Sequence, residues 1–380
     1  MSRAAVPLSG LGVALPAVSL PQRAFADAAV ACCCGSGARR AKILRELYRR
    51  SGVRRRGCAL VADDAEPTVQ SLGAVFPPSR DAEDRGPSLA ERMARYAEAA
   101  KTLALRSARA ALEDAAISAE QIGHLVTVSC TGFAAPGVDT QLIEGLGLSP
   151  NVSRTNVGFM GCHAALNGWE AADALAARSG RPALLVCVEI CTAHFAYGWE
   201  PNRLVANALF ADGAAAAVLT PSTPAKSSSR PTPYLVDRFS RLLPDSQDAM
   251  TWHLGDHGFE MTLSPRVPEH IQRHAGDALR GFLRPHGLAP AQLAGLIVHP
   301  GGPRVLRATT EALGLPASAA QASLEVLREH GNLSSPTVLV VLQRLLAATR
   351  DTPNDSDSPR YWLIVAFGPG LALEAMLLRG

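Results

Sequence analysis

The chain has 380 residues, 47% hydrophobic and 19% charged, enough apolar material for a large core in one or two packed units. Its 37 Lys and Arg against 34 Asp and Glu leave a net charge of +3, which excludes a disordered polyelectrolyte and argues against a dedicated nucleic-acid binder. Eight cysteines, three of them consecutive at Cys32, Cys33 and Cys34, are too few and too unevenly spaced for the disulfide framework of a small secreted protein, so reduced thiols in a cytosol are expected.

At the N-terminus, Ala4–Leu20 is apolar and starts near Arg3 as a signal peptide would. Pro7, Gly10, Gly12, Pro16 and Pro21 interrupt it, and Leu11–Leu15 is predicted as a first strand instead. Helical periodicity with an outer face of Arg and Glu predicts helices over Ala38–Arg50 and Ser88–Ala116, the second opened by a capping box of Ser88 and Glu91. Between them, Ala65–Pro87 reads as loop with one short element. Short β-rich runs bounded by Gly or Pro predict strands at Val126–Ser129, Ala183–Glu189, Ala214–Leu219, Ala294–Val298 and Trp362–Phe367. Strands alternating with helices imply an α/β sheet. No apolar run reaches the roughly 18–20 residues of a membrane-spanning helix; the best, Ala183–Ile190 and Val338–Leu342, are short. The Pro- and Ser-rich stretch Thr220–Pro233 divides the chain into halves 1–222 and 234–380, with 223–233 as linker.

Those halves echo one another. Gln121-Ile-Gly-His-Leu-Val-Thr-Val leads through a Gly/Pro turn to a helix ending Gly145-Leu-Gly-Leu, and Gln292-Leu-Ala-Gly-Leu-Ile-Val-His does the same and ends Ala312-Leu-Gly-Leu. The two starts lie 171 residues apart, and Cys162 and Asn332, each at the start of an apolar helix, lie 170 apart. A duplicated unit packed about a pseudo-twofold axis would bring Cys162 and Asn332 face to face.

Cys162 follows Gly158-Phe-Met-Gly and precedes a helix expected at His163–Ala177, where unpaired N–H groups and the positive helix end favour a thiolate. The bland alternative is an inert buried thiol. His299 ends an apolar strand before Pro300-Gly-Gly-Pro, which puts an imidazole at a sheet edge with little bulk around it. Asn332 by itself reads as an ordinary helix cap. Together the three supply a nucleophile, a proton acceptor and a neutral amide donor.

The segments Val157-Gly-Phe-Met-Gly-Cys-His-Ala-Ala, Leu209-Phe-Ala-Asp-Gly-Ala-Ala-Ala, Val298-His-Pro-Gly-Gly-Pro, His330-Gly-Asn-Leu-Ser-Ser and Ala366-Phe-Gly-Pro-Gly resemble, in order, the signature blocks of type III polyketide synthases, the chalcone and stilbene synthase family. The resemblance spans about Gly10 to Leu378. It implies a thiolase-like αβαβα layered fold of two duplicated halves, a homodimer, and a Cys162, His299, Asn332 triad that extends an acyl-CoA starter with malonyl-CoA. It further implies a gatekeeping role for Phe210 and a cavity-shaping loop at Gly368, Pro369 and Gly370. No organic cofactor or metal is implied.

Against the plant enzymes, Met261 stands where a second gatekeeper phenylalanine is usual, Cys130 and His194 replace cavity threonines, and Ala135 replaces the residue reaching across the dimer. Bacterial members that accept long acyl chains are similar in these respects, since Cys130 and Ala135 leave room for a tunnel. A fatty acyl-CoA starter and an alkylpyrone or alkylresorcinol product are therefore expected. The arginines Arg49, Arg50, Arg54, Arg55 and Arg56 read as a solvated face from charge alone; the resemblance assigns phosphate contact with CoA to Arg54 and Arg55. His253/His257 and His270/His274 have helical ligand spacing without a third ligand motif, so no metal is assigned. The rival readings are a 3-ketoacyl-carrier-protein synthase III-like enzyme of the same fold and a non-catalytic acyl-CoA-binding relative. The expected location is the cytoplasm, with no nucleic-acid partner.

Overall fold

The computed structural model describes residues 5–35, 37–62, 64–66, 68–221, 232–348 and 359–380, so most of the expected linker 223–233 lies outside the described residues. Its strands are β1 (Leu8–Ala14), β2 (Ser19–Pro21), β3 (Arg55–Gly57), β4 (His124–Ser129), β5 (Ser153–Gly158), β6 (Ala183–Ile190), β7 (Asp212–Leu219), β8 (Tyr234–Leu242), β9 (Met250–Gly255), β10 (Gly258–Leu263), β11 (Gly295–Val298), β12 (Tyr361–Gly368) and β13 (Ala372–Arg379). Two sheets dominate, in the orders β1-β7-β6-β4-β5 and β8-β13-β12-β11.

Alternation along the strands decides the layering. Leu184, Val186 and Val188 of β6 face helices Leu89–Ala115 and Val138–Leu146. Ala183, Leu185 and Cys187 face the opposite way, toward helices Ala164–Ser179 and Thr337–Ala348. A strand buried on both faces reads as a continuous apolar run, which is how β6 appears in the sequence. β12 repeats the pattern. Trp362, Ile364 and Ala366 meet the same two central helices, whereas Leu363, Val365 and Phe367 pack on helices Val267–Leu283 and Pro303–Leu313. The result is five layers: helix, sheet, helix, sheet, helix.

The echo between the halves is visible atom by atom. Gln121 Oε1 accepts from the backbone N–H of Ser118 at 2.9 Å, and Gln292 Oε1 accepts from that of Ala289 at 2.7 Å. The following strands, β4 and β11, each pair in parallel with β6 and β12. The helices after them end on left-handed Gly147 and Gly314, with Leu148 N–H donating to Ile143 C=O and Leu315 N–H to Thr310 C=O. Strand order and sense then continue alike, β6-β7-β1 and β12-β13-β8, all antiparallel. Among the described residues the first sheet alone has a further edge strand, β5.

Candidate active site

β5 ends in a tight turn with φ of +59° at Phe159 and +74° at Gly161, followed by a single 3-10 turn over Gly161–His163 and then helix Ala164–Ser179. A Cβ at Gly161 would lie 2.4 Å from Pro369 Cδ, and one at Gly368 would lie 2.2 Å from His163 Cδ2. Glycine at both places lets the nucleophile turn and the Gly368–Gly370 loop lie flush against each other. Cys162 is buried, its Sγ 3.5 Å from Ser334 Oγ.

His299 continues β11, its backbone N–H donating to Val365 C=O at 2.8 Å, and neither of its buried ring nitrogens has a protein partner. Asn332 is fixed on both sides. Its N–H donates to Leu209 C=O at 2.9 Å and its C=O accepts from Ala211 N–H at 2.8 Å, a bridge that holds Phe210 beside it. Its Oδ1 accepts from Ser334 N–H at 2.8 Å, which commits the amide oxygen and leaves the NH₂ as donor.

Burial pushes the Cys162 thiol up to about 12, opposed by hydrogen bonds from Ser334 and Asn332. Burial, and then the neighbouring His163 imidazole, push His299 down to about 3. Burial thus works against both a thiolate at Cys162 and an imidazolium at His299, opposing the helix terminus that favours the thiolate.

Cys162, Phe210, Met261, His299 and Asn332 line one chamber of about 560 Å³, whose wall also includes the exposed Arg50 and Arg304. Cys162, Phe210 and Met261 also border an inner chamber of about 50 Å³, lined further by Cys130, His194 and Pro369. His194 closes much of that inner space. Its Nε2 bonds Thr131 C=O at 2.7 Å, its Nδ1 accepts from Phe259 N–H at 2.9 Å, and its ring stacks on Phe259 with centroids 4.2 Å apart. Burial pushes it down to about 4, so it sits neutral with both nitrogens used.

Behind the inner chamber lies a fully buried carboxylate. Glu189 accepts from Cys130 N–H (3.0 Å), Thr131 Oγ1 (2.7 Å), Ser129 Oγ (3.3 Å), Ser335 Oγ (2.6 Å) and Cys130 Sγ (3.3 Å). Burial nevertheless raises its pKa. The Cys130 thiol lies between Glu189 and Ser334, at 3.3 Å and 3.5 Å.

Ala135 is exposed in a surface hollow with Phe133, Phe159 and Arg154, and lines neither chamber of this chain. Arg54 and Arg55 lie outside the 560 Å³ chamber, because the chain turns at Gly52 (φ +83°) into β3, where Arg55 donates to Ser19 C=O. The arginines that line that chamber are Arg50 and Arg304. Gly368 and Gly370 support the wall from behind, and Pro369 alone of that loop faces the inner space. The sequence reading passed over Glu189, Ser334 and Ser335; a single acid inside the all-buried run Ala183–Ile190 was the available signal. Arg56, expected on a solvated face, is instead buried under Phe25 and Tyr48, and its guanidinium donates to Phe210 C=O.

Residues 2–224 match the family described as chalcone and stilbene synthases, N-terminal domain, and residues 235–380 match the C-terminal domain of the same family. The chain is 33% identical to a 1,3,6,8-tetrahydroxynaphthalene synthase of Streptomyces peucetius subsp. caesius, over 97% of this chain and 93% of that one. It is 32% identical to the alpha-pyrone synthesis polyketide synthase-like Pks18 of Mycobacterium tuberculosis, over 76% and 73%. It spans only 11% of the length of polyketide synthase 37 of Dictyostelium discoideum, at 31% identity over 89% of this chain. In three dimensions it is similar to the crystal structure of PKS-I from the brown alga Ectocarpus siliculosus, with a TM-score of 0.88, 29% identity, and 100% and 99% of the two chains covered.

Proposed function

The chain belongs to the chalcone and stilbene synthase family, the type III polyketide synthases, and on that premise we propose that it loads an acyl-CoA starter on Cys162 and extends it with malonyl-CoA. The observation that carries the proposal is the single chamber wall shared by Cys162, His299 and Asn332. In the loading step the Cys162 proton passes to His299, sulfur bonds the thioester carbonyl carbon, and the CoA thiolate leaves and takes up the proton from His299. Malonyl-CoA then loses its carboxylate as CO₂, and the freed electron pair forms an enolate whose oxygen receives hydrogen bonds from Asn332 NH₂ and His299. The enolate carbon attacks the Cys162 thioester, a C–C bond forms, and the Cys162 thiolate departs. Donors held in a dry pocket with no competing partner serve such a developing charge well; His299 has none. Arg50 and Arg304 give the CoA phosphates two cations.

For the starter we propose a fatty acyl-CoA, giving an alkylpyrone or alkylresorcinol product; the Mycobacterium relative's name supports the pyrone. A chain running inward must then part the His194–Phe259 stack. The inner chamber of about 50 Å³ favours a second reading, a short acyl starter. Mass spectrometry of products from a graded panel of acyl-CoA thioesters with malonyl-CoA decides between them: turnover rising with chain length supports the first, turnover confined to short starters the second, and no product from any starter refutes both.

We further propose a homodimer, supported by the unpaired outer edge of β5 and by exposed Phe133, Phe159 and Met160 beside it. Light scattering coupled to size-exclusion chromatography tests this; a monomer mass contradicts it. No helix among the described residues is long and apolar enough to cross a membrane. We propose a cytoplasmic location, supported by the eight free thiols.

A further inference from the structure

One buried cation beside the site takes no part in the reaction above. Arg56, on β3, is 1% exposed, and its guanidinium carbon lies 4.0 Å from the centre of the Phe25 ring and 5.7 Å from that of Tyr48. Nη1 donates to Phe210 C=O, while Nε and Nη2 have no protein partner. A buried guanidinium is costly and an apolar side chain would fill the same space, so the hydrogen bond is what the charge adds. The carbonyl it holds belongs to the peptide unit Phe210–Ala211, whose other end, Ala211 N–H, donates to Asn332 C=O at 2.8 Å. That planar unit is gripped at its oxygen by Arg56 and at its hydrogen by Asn332, and a charged donor on the oxygen strengthens Ala211 N–H as a donor. A second route ties β3 to the same turn. Arg54 N–H donates at 2.7 Å to Arg328 C=O of helix Gln321–His330, which leads through Gly331 to Asn332. A Cβ at Gly331 would lie 2.9 Å from Ala211 Cβ and 3.4 Å from Arg56 Cβ, so this glycine lets the Arg56 stem and Ala211 close on Asn332.

With its Oδ1 bound by Ser334 N–H, Asn332 can aim its NH₂ only as well as its own backbone is held. We propose that Arg56 is a positioning residue for the Asn332 donor: through the Phe210–Ala211 peptide it fixes the backbone from which the Asn332 NH₂ reaches the enolate oxygen. The inference rests on the Asn332 role proposed above. Loading uses Cys162 and His299 but not Asn332, so loss of Arg56 slows condensation and spares loading. Arg56 also borders the inner chamber; a direct contact with the acyl chain there, or general loosening of the fold, would slow both steps.

The test uses the full-length protein and the starter that turns over fastest in the graded panel. Two rates are read by quenched mass spectrometry: acylation of Cys162 without malonyl-CoA, and consumption of that acyl-enzyme once malonyl-CoA is added. Arg56→Met keeps an apolar stem over Phe25 and Tyr48 and removes the donor; acylation should stay within about twofold of native while consumption slows about ten- to hundredfold. Arg56→Lys keeps one charged donor and should spare acylation alike, with consumption slowed only about threefold. Beside Asn332→Ala, Arg56→Met should slow consumption by less than about a further twofold, because the donor it positions is already gone. Both rates falling together, consumption unchanged in both variants, or effects that multiply in the double variant overturn the proposal. If Arg56→Met does not fold, Arg56→Lys decides alone by the same two rates. Native protein that takes no acyl group on Cys162 overturns the loading reading itself, and native consumption in Asn332→Ala overturns the Asn332 role; either takes this inference with it.

Discussion

The sheet β1-β7-β6-β4 and the sheet β8-β13-β12-β11 share order, sense and even the glutamine-capped turns that precede β4 and β11. Near the site they treat polar groups in opposite ways. Glu189 of the first half accepts from five donors, four of them from the same half and one, Ser335 Oγ, from the second half, and Asp212 accepts from Thr192 N–H (2.8 Å), Thr192 Oγ1 (2.5 Å) and Ala59 N–H (2.8 Å). The second half leaves both nitrogens of His299 without a partner. Where Glu189 ends β6, the equivalent pairing position on β12 is Gly368, a residue that makes room instead of charge. The two carboxyls of β6 and β7 are saturated and hold shape, whereas the imidazole after β11 keeps open hydrogen-bonding capacity that a ligand can complete.

The largest effect that sharpens this contrast is expected at the open side. Asn332→Ala should lower kcat for condensation by about 10²–10³-fold, as removal of one preorganised oxyanion donor does, with the fold retained. Steady-state turnover with circular dichroism checks it, and near-native kcat would break the contrast.

Next comes pH. Burial pushes the Asp212 carboxyl up to about 6, whereas an unfolded aspartate titrates near 3.9. The folded protein therefore keeps a proton the unfolded chain has released: its contribution is full below about pH 4 and lost as pH rises through about 6. His299, held near 3 when folded, acts with the opposite sign: its contribution is full above about 6.5 and lost as pH falls. Asp212→Asn should remove a stability loss on the order of 3 kcal/mol between pH 4 and 6, and His299→Gln should soften the acid limb instead. Urea unfolding across pH 4–7 separates the two; identical pH slopes in both variants would contradict the assignment.

Smaller effects follow at the seam between the halves. Gly368→Ala drives a methyl into His163 and should cost about 1–3 kcal/mol. His163→Ala in the same chain should restore part of it, so a double-mutant cycle that shows simple additivity would mean the two do not touch. Smallest of all, Arg50→Ala and Arg304→Ala should raise KM for CoA substrates about two- to fivefold with kcat unchanged, as exposed ion pairs of about 0.5–1 kcal/mol do; Arg54→Ala should do nothing.

Most of the layered architecture was legible because its strands are apolar runs buried on both faces. The helix read at Ser88–Ala116 forms over Leu89–Ala115 with its capping box intact, and Ala183–Glu189 extends by one residue. β8 was not read: its exposed edge carries Asp237, Arg238 and Arg241, which break any apolar pattern. Helix Gln22–Cys33 was not read either, because its alanines and cysteines lie next to three prolines that suggested loop. In the site, the residues recognised by motif stand on turns. The missed Glu189 and the misplaced Arg56 act across the fold, Glu189 through Ser335 146 residues away and Arg56 through Phe210 154 away, contacts that no local pattern reports.

The central claim is that Cys162 carries the growing chain. Intact-protein mass spectrometry after incubation with a starter acyl-CoA, without malonyl-CoA, tests it most directly. The account predicts one added acyl mass, mapped to Cys162 by peptide analysis and absent from Cys162→Ala. An adduct of the same size on the variant, or on another of the eight cysteines of the native chain, would contradict it.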